Sequence, residues 1–213
     1  FAGTLSVAPE TAIAMIESIG VSLAALGIRR LVIFNSHGGN KAVLDLAALK
    51  LRAAHRMLVV KANYFRFAPP ADSLAADELA HGLHGGALET SLMLHLAPAS
   101  VRREHIAEFK PIGAQRAEAG ATLLPEGDAG FAWMAQDLHP QGVAGDARLA
   151  SAEHGAVLAA HFSARLAQII DETQAFDLAT LGGIQRPGEH IAAVLCNEKR
   201  VSALIVLSPG FED

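Results

Sequence analysis

The sequence is poor in cysteine, in aromatic residues and in charge. Cys196 is the single cysteine among 213 residues, which excludes an internal disulfide framework and a zinc site made of several cysteines, and suits a reducing cytoplasm. Aromatic residues amount to 5%, so Ala, Leu, Val and Ile must build the core. Charged residues amount to 18% with a net charge of −5, which argues against the basic face that nucleic-acid binding needs.

Long apolar runs are scarce as well. No run approaches the length that crosses a bilayer, and the first residues lack the basic-then-apolar pattern of a secretion signal. We therefore expect a cytoplasmic protein whose partners are neither a nucleic acid nor a membrane. Hydrophobic residues do reach 51% of the chain, which is enough for one compact domain with a sizeable core.

The first third of the chain predicts a βαβ unit. Apolar residues at helical spacing follow Pro9 and stop at Gly27. Short continuous apolar runs at 31–34 and 57–62 are typical of buried parallel strands, and an amphipathic pattern over 40–55 predicts the helix between them. Such a unit is almost always right-handed. The fold class that these elements predict is α/β.

The remaining sequence is less regular. It predicts, in chain order, a long loop over 63–80 with a short helix after Pro70, a loop and helix over 85–98, irregular structure with short strands over 103–145, a long helix from Asp146 to about Ile170, and strand-like runs at 191–195 and 202–207.

The turn "NSHGGN" (35–40) is richer in polar residues and glycine than a strand-to-helix connection requires. Ligands of open parallel sheets bind beyond the carboxyl ends of the strands, and this turn follows such an end. Gly38 and Gly39 let the backbone approach a ligand, and His37 has the chemistry of a metal ligand or proton carrier. A glycine-rich turn with an incidental histidine explains the spacing equally well. Nucleotide binding is a weaker reading, because the lysine and hydroxyl of a phosphate-binding loop are missing.

A second candidate stretch is "HGLHGGALETS" (81–91). Glu89 can bind a divalent cation at the start of the predicted helix, and His84 can pass protons to and from a nearby water. The alternative for Glu89 is a solvated carboxylate that the helix dipole favours. His81 is interpreted as a surface or loop residue, and no role is assigned to the histidines that have no matching partner, namely His55, His95, His105, His154, His161 and His190.

Taken together, these stretches resemble a known family. "LVIFNSHGGN" and "HGGALETS" are similar to the two signatures of the creatininase (creatinine amidohydrolase) family. "FAGTLS" resembles that family's "FPGT" strand, with Ala2 in place of proline, and residues 131–158 resemble its later glycine–aspartate segment. The four segments agree in order and spacing over about residues 1–170. The resemblance predicts a creatininase-like domain over 1–170 and an extension of unknown role over 171–213.

The resemblance implies a three-layer α/β/α fold with a mostly parallel sheet, assembled as a homohexamer. It also implies a centre of two divalent metals per subunit, Zn or Mn, that hydrolyses a C–N bond of a cyclic or linear amide. By position, His37 would bind one metal and Glu89 the other, and His84 would transfer protons. The expected partner is therefore a small-molecule amide.

The same resemblance implies a substrate pocket. The backbone of Gly38 and Gly39 would line it, and Tyr64 or Phe65 would lie over the substrate. Family members that hydrolyse creatinine carry a glutamate where this chain has Gly39, which argues against creatinine itself as the substrate. Other branches of the family deformylate pyrimidine intermediates or trim a peptide cofactor precursor, and the sequence does not choose among these.

A further set of family ligands lies outside the sequence. In the family, a glutamate, a histidine and a bridging aspartate precede the "FPGT" strand, whereas this sequence begins at Phe1. We therefore expect either a fragment of the enzyme or an inactive scaffold with the same fold. An unpaired sheet edge left by the missing strand would favour self-association, which independently predicts a homo-oligomer.

Overall fold

The predicted βαβ unit forms with boundaries close to those expected. The computed structural model describes residues 5–182 and the backbone of residues 202–207. The first elements are α1 (Pro9–Ala25), β1 (Arg30–Asn35), α2 (Lys41–His55) and β2 (Leu58–Asn63). Pro9 stands at the start of α1, where its missing N–H costs nothing, and Gly27 takes a φ of +82° just past the end of α1.

The chain continues through shorter elements into one long helix. These are α3 (Ala76–His81), α4 (Ala87–Leu96), β3 (Glu108–Phe109), α5 (Ile112–Glu118), β4 (Leu123–Leu124), β5 (Ala129–Gly130), α6 (Ala135–Leu138), β6 (Gly145–Asp146), α7 (Ala152–Ala175) and β7 (Ser202–Leu207). Short 3-10 turns join them at Gly38–Asn40, Tyr64–Arg66, Pro98–Ser100, Arg103–His105, Ala147–Leu149 and Leu178–Thr180.

Contacts divide the chain into two compact units. The first comprises residues 1–68 and 165–213, and the second comprises residues 69–164. The boundary after residue 170 that the sequence suggests stays a prediction, and α7 continues past it to Ala175.

Within the residues that the structure describes, the first unit contains a parallel sheet of three strands in the order β2–β1–β7. Arg30 pairs with Leu58 at one end of β1 and Asn35 pairs with Asn63 at the other. β7 runs parallel to β1 on its other side, from Arg30 opposite Ser202 to Asn35 opposite Leu207. The predicted α/β class and the predicted strand at 202–207 are therefore confirmed, while the run at 191–195 lies outside the described residues.

An aliphatic core supports this sheet. α1 packs on α2, and the buried cluster that they form with β1 contains no aromatic side chain, as the composition predicts. Its members are Ile16, Ala24, Ile28, Leu31, Ile33, Leu44, Ala47, Leu51 and Met57. Burial of this kind contributes about 25 cal/mol for each Å² of apolar surface removed from water. The core thereby holds the carboxyl ends of β1 and β2 in fixed positions.

The second unit departs from the sequence-based expectation in two places. α5 and α6 form within the stretch that was predicted to be irregular. The helix predicted from Asp146 begins instead at Ala152, because residues 147–149 make a 3-10 turn that the side chain of Asp146 caps by accepting the N–H of Arg148 at 3.1 Å. The short helix expected after Pro70 and the helix ending near Ala97 are confirmed as α3 and α4.

Candidate active site

Buried amides shape the first candidate turn. Asn35 ends β1 with a fully buried side chain, whose Nδ2 donates to Oδ1 of Asn63 at 2.8 Å. Its Oδ1 accepts the backbone N–H of His37 at 3.1 Å and Nδ2 of Asn40 at 3.4 Å. The polar residues of "NSHGGN" are thus explained in part by structure, because one asparagine fixes the turn from below while the parallel register places Asn63 beside it.

His37 lies on the exposed side of this turn. Its backbone is extended, with φ −135° and ψ 123°, and its imidazole folds over Gly39. A Cβ atom at Gly39 would lie 2.7 Å from Nε2 of His37, so a side chain here would force the imidazole to move. No atom would meet a Cβ at Gly38 within 4 Å. Both glycines are exposed, and a ligand can therefore approach their backbone beside the imidazole.

The predicted aromatic residues follow the adjacent strand. Tyr64 and Phe65 open the 3-10 turn after β2, with ring centroids 5.9 Å apart and planes at 83°. Tyr64 is 9% exposed and Phe65 is 37% exposed. The first unit therefore gathers His37, the two glycines and both aromatic residues at the carboxyl ends of neighbouring strands, as the sequence predicts for a binding edge.

The second candidate turn lies in the second unit and brings His84 and Glu89 together. Gly85 takes a φ of +65°, which lets the chain turn into α4. Oε2 of Glu89 accepts the N–H of Gly85 at 2.6 Å and lies 4.0 Å from Nδ1 of His84. Thr90 closes the turn by donating its hydroxyl to the carbonyl of Gly85 at 3.0 Å.

This geometry gives the pair a defined chemistry. The side chains of His84 and Glu89 are 44% and 38% exposed, so both are accessible to a substrate. An imidazole can take up and release a proton, and the carboxylate 4.0 Å away can orient the ring of His84. Glu89 is also more than a solvated first-turn carboxylate, because its bond to Gly85 holds the turn in place.

A third carboxylate, Glu78 of α3, escaped the sequence analysis. It accepts the N–H of Ala87 at 2.6 Å and the N–H of Asp146 at 2.8 Å. No sequence signal marks it, since its partners lie 9 and 68 residues away. Glycines are frequent in the segments around it, but their spacing does not reveal which carboxylate they accommodate.

The carboxylate of Asp146 has a lowered pKa. The side-chain hydrogen bond from Arg148 is the main reason that the pKa of Asp146 is lowered, while partial burial opposes the shift. Nε of Arg148 approaches Asp146 at 2.8 Å, and Nη2 approaches Glu108 at 2.5 Å. This ion-pair cluster joins β3 to β6 and is structural.

The donors needed for a metal centre are only partly present. Imidazole nitrogen and carboxylate oxygen suit Zn²⁺, but a catalytic zinc takes about three protein ligands. Among the residues that the structure describes, no group of three or more His, Cys, Asp or Glu side chains could hold a metal ion. His37 and Glu89 belong to separate units, and their convergence on one site stays a prediction. The described residues therefore do not by themselves fit a dinuclear metal centre.

Comparison with known proteins gives a consistent set of matches. The family model for creatininase (creatinine amidohydrolase) matches residues 1–170. A mycofactocin precursor peptide peptidase of Mycobacterium tuberculosis is 39% identical over 104 residues, which cover 49% of this chain and 36% of that protein. The protein of the same name from Mycobacterium ulcerans is 32% identical over 155 residues, covering 73% and 53%. The chain thus spans about a third to a half of the length of these relatives.

Solved structures agree with this result. A Bacteroides fragilis protein provisionally named creatinine amidohydrolase matches with a TM-score of 0.64 and 25% identity, over 84% of this chain and 67% of that one. A creatininase variant of the Zn–Zn type matches with a TM-score of 0.57 and 28% identity, over 81% and 67%. The predicted creatininase-like fold is confirmed. Within the described part of the chain, every helix is too short or too polar to cross a membrane. The matched family model covers most of the sequence, and the chain belongs to the creatininase (creatinine amidohydrolase) family.

Proposed function

We propose that the protein is an amidohydrolase that cleaves a C–N bond with water. The observation that carries the proposal is the pairing of His84 with Glu89 on the turn that bears the second family motif. Hydrolysis forms a bond from the water oxygen to the carbonyl carbon and breaks the bond from that carbon to nitrogen. His84 takes the proton of the water and returns it to the leaving nitrogen, while Glu89 stabilises the protonated imidazole between the two transfers.

The substrate that we propose is a linear amide of a peptide. The curated relatives are named as precursor peptide peptidases, and Gly39 stands where creatinine-hydrolysing members are expected to have a glutamate. His37, Gly38 and Gly39 are all exposed, so an extended chain can reach their backbone. A screen of peptides against cyclic amides tests this choice, and exclusive turnover of cyclic amides would contradict it.

We also propose that activity depends on a divalent metal, Zn or Mn. His37 and Glu89 are among its ligands, and the remaining ligands come from the segment that the family resemblance places upstream of Phe1. The Zn–Zn type of the creatininase variant supports this reading. When bound, such a metal lowers the pKa of a coordinated water and polarises a carbonyl group.

The test uses the full-length gene product. Glu89→Gln keeps an oxygen that can accept the N–H of Gly85, so the turn is retained while the charge is lost. We expect Glu89→Gln and His37→Ala to lower the metal content, measured by elemental analysis, together with the amidase rate. Glu153→Gln in the first turn of α7 and His105→Ala at a side chain that is 66% exposed are matched controls. An unchanged metal content in both test variants would show that the metal assignment is wrong.

His84 is tested separately from the metal. We expect His84→Gln to lower kcat by at least about 10²-fold, because it removes the proton carrier, and to leave the metal content at the level of the parent protein. His105→Ala again serves as the control. An amidase rate that His84→Gln leaves intact would remove the imidazole from the mechanism.

A non-catalytic scaffold is the second candidate. The absence of a three-residue metal group among the described residues favours it. A folded full-length protein that binds no zinc or manganese and turns over neither peptides nor cyclic amides would establish this reading in place of the hydrolase.

We further propose that the protein is cytoplasmic and forms a homo-oligomer, which the family resemblance indicates is a hexamer. Its single cysteine suits a reducing compartment, and large apolar side chains are exposed on α1 and α2, namely Met15, Ile19, Leu46 and Leu49. Sedimentation of the full-length protein tests the assembly, and a stable monomer at micromolar concentration would contradict it.

A further inference from the structure

Glu78 holds two separate segments of the second unit with one carboxylate. Oε1 accepts the N–H of Ala87, the first residue of α4, at 2.6 Å. Oε2 accepts the N–H of Asp146 in β6 at 2.8 Å. Hydrogen bonds to an ionised acceptor are stronger than neutral ones, and this side chain makes two of them while it is half-buried. The start of α4 is thereby tied to β6.

Three glycines make the space for this carboxylate. A Cβ at Gly82 would lie 2.5 Å from Oε1 of Glu78, a Cβ at Gly145 would lie 2.6 Å from it, and a Cβ at Gly86 would overlap the same oxygen. Gly82 and Gly86 both have a φ of −74°, which any residue adopts. At these two positions glycine is therefore required by space and not by backbone conformation. A Cβ at Gly82 would also lie 2.5 Å from the backbone oxygen of Glu78, and a Cβ at Gly145 would lie 2.9 Å from Cα of Gly86. Gly86 is therefore the position among these three where the carboxylate oxygen is the only atom that a Cβ would approach within 3.0 Å.

Glu78 accepts one hydrogen bond from within the candidate catalytic turn and one from β6. His84 and Glu89 lie on either side of Ala87, whose N–H Glu78 accepts. The carbonyl of His84 accepts the N–H of Ala144 at 2.7 Å, two residues from Asp146. The turn is thus held to residues 144–146 in two ways, by the direct bond from Ala144 to His84 and by Glu78, which connects Ala87 to Asp146.

We propose that Glu78 is a positioning residue that fixes the turn carrying His84 and Glu89, and that it acts on the reaction only through those two side chains. The inference rests on the proposed amidohydrolase function. Loss of the carboxylate leaves the N–H groups of Ala87 and Asp146 without their acceptor, and the turn is then free to shift. A displacement of about 1 Å at a catalytic group can lower a rate by about 10²-fold.

The first arm of the test does not depend on activity. In the full-length protein, Glu78→Ala is expected to raise the rate of amide hydrogen exchange at Ala87 and Asp146 at least about tenfold. Gly182→Ala is the control, because no atom lies within 4 Å of the Cβ position of Gly182, and it is expected to leave both amides protected. Protection that Glu78→Ala leaves unchanged would overturn the proposal, whether or not the protein proves to be a hydrolase. Failure of the parent protein to cleave any amide would instead count against the proposed function alone.

The second arm separates positioning from general destabilisation. Rates are measured well below the unfolding temperature of the weakest variant. Glu78→Ala is expected to lower kcat about 10²-fold with KM within about twofold of the parent value, because Glu78 does not contact substrate. Glu78→Gln, which keeps one acceptor oxygen, is expected to recover part of that loss. A kcat of Glu78→Ala equal to that of the parent protein would overturn the proposal.

A double-variant cycle links the glycine to the carboxylate. Gly86→Ala is expected to lower kcat in the parent protein, because its Cβ displaces Oε1 of Glu78. In the Glu78→Ala background the same change is expected to cost less than about twofold, since the oxygen it would displace is gone. Equal, additive losses in the two backgrounds would show that Gly86 and Glu78 act independently and would refute the proposed arrangement.

Discussion

Replacing Gly155 with alanine tests how closely α7 passes α4 in the second unit. A Cβ at Gly155 would overlap the carbonyl oxygen of Ser91 and would lie 2.6 Å from its carbonyl carbon and 2.8 Å from Cβ of His95. Ser91 is completely buried, and its Oγ accepts the N–H of Ser151 at 3.2 Å. The obstacle is therefore a fixed backbone carbonyl, and the two helices must separate to admit a methyl group.

Two opposing effects determine the magnitude. Alanine is favoured over glycine inside a helix by about 1 kcal/mol, so Gly155→Ala would stabilise α7 if the site were open. Overpacking of a buried contact costs about 1–3 kcal/mol, and overlap with backbone belongs at the upper end of that range. We expect a net loss of about 2 kcal/mol in the free energy of unfolding, or about 4–8 °C in Tm for a chain of this size.

Urea unfolding followed by circular dichroism, together with calorimetry, measures the loss. Gly20→Ala in α1 is the matched control, because it gains the same helix propensity but meets one flexible side chain, Cγ and the two methyl groups of Leu51, instead of backbone. We expect a smaller loss there than at Gly155. If Gly155→Ala raises Tm, the close approach of α7 to Ser91 is wrong.

Three further predictions follow from the described contacts. Gly39→Ala should displace the imidazole of His37 and lower the amidase rate. Its Tm should stay within about 2 °C of the parent value, because only the end of a flexible side chain must move. An unaltered rate would show that this position of the imidazole is unimportant. Asn35→Ala should lower the free energy of unfolding by about 1–3 kcal/mol, because it deprives buried polar groups of their partners, and urea titration would expose a neutral result. Arg148 lowers the pKa of Asp146 in the folded state, so the stability from this carboxylate is present above its unfolded pKa of 3.8 and is lost as pH falls through the lower folded value. Asp146→Asn should therefore flatten the plot of unfolding free energy against pH below pH 3.8. An unchanged plot would contradict the ion pair.

Periodicity was sufficient to predict the first unit. The strands β1 and β2 and the helices around them lie within two residues of the predicted bounds, because a continuous apolar run between a glycine stop and a polar turn has few alternative interpretations. The position of the turn after β1 singled out His37 as a candidate, whereas Tyr64 and Phe65 became candidates through the family resemblance, and their roles stay predictions. The buried role of Asn35 was not, since nothing local shows that its amide faces Asn63.

The second unit was less predictable because contacts distant in sequence decide its local structure. The bond from Glu78 to the N–H of Asp146 spans 68 residues and lies where the sequence had predicted the start of α7. The true start at Ala152 follows a 3-10 turn that the side chain of Asp146 caps. The helical periodicity already begins at Asp146, so it does not reveal the cap by Asp146 or the contact with Glu78, which together separate the turn from the helix.

The position of β7 has a practical consequence for anyone who trims the protein to its matched family region. Cutting after residue 170 would strip six paired residues from one flank of β1. The innermost strand of the sheet would become its rim, with a row of unsatisfied main-chain groups directly beneath the His37 turn. Such a shortened protein is expected to aggregate, so expression should retain the chain through Leu207.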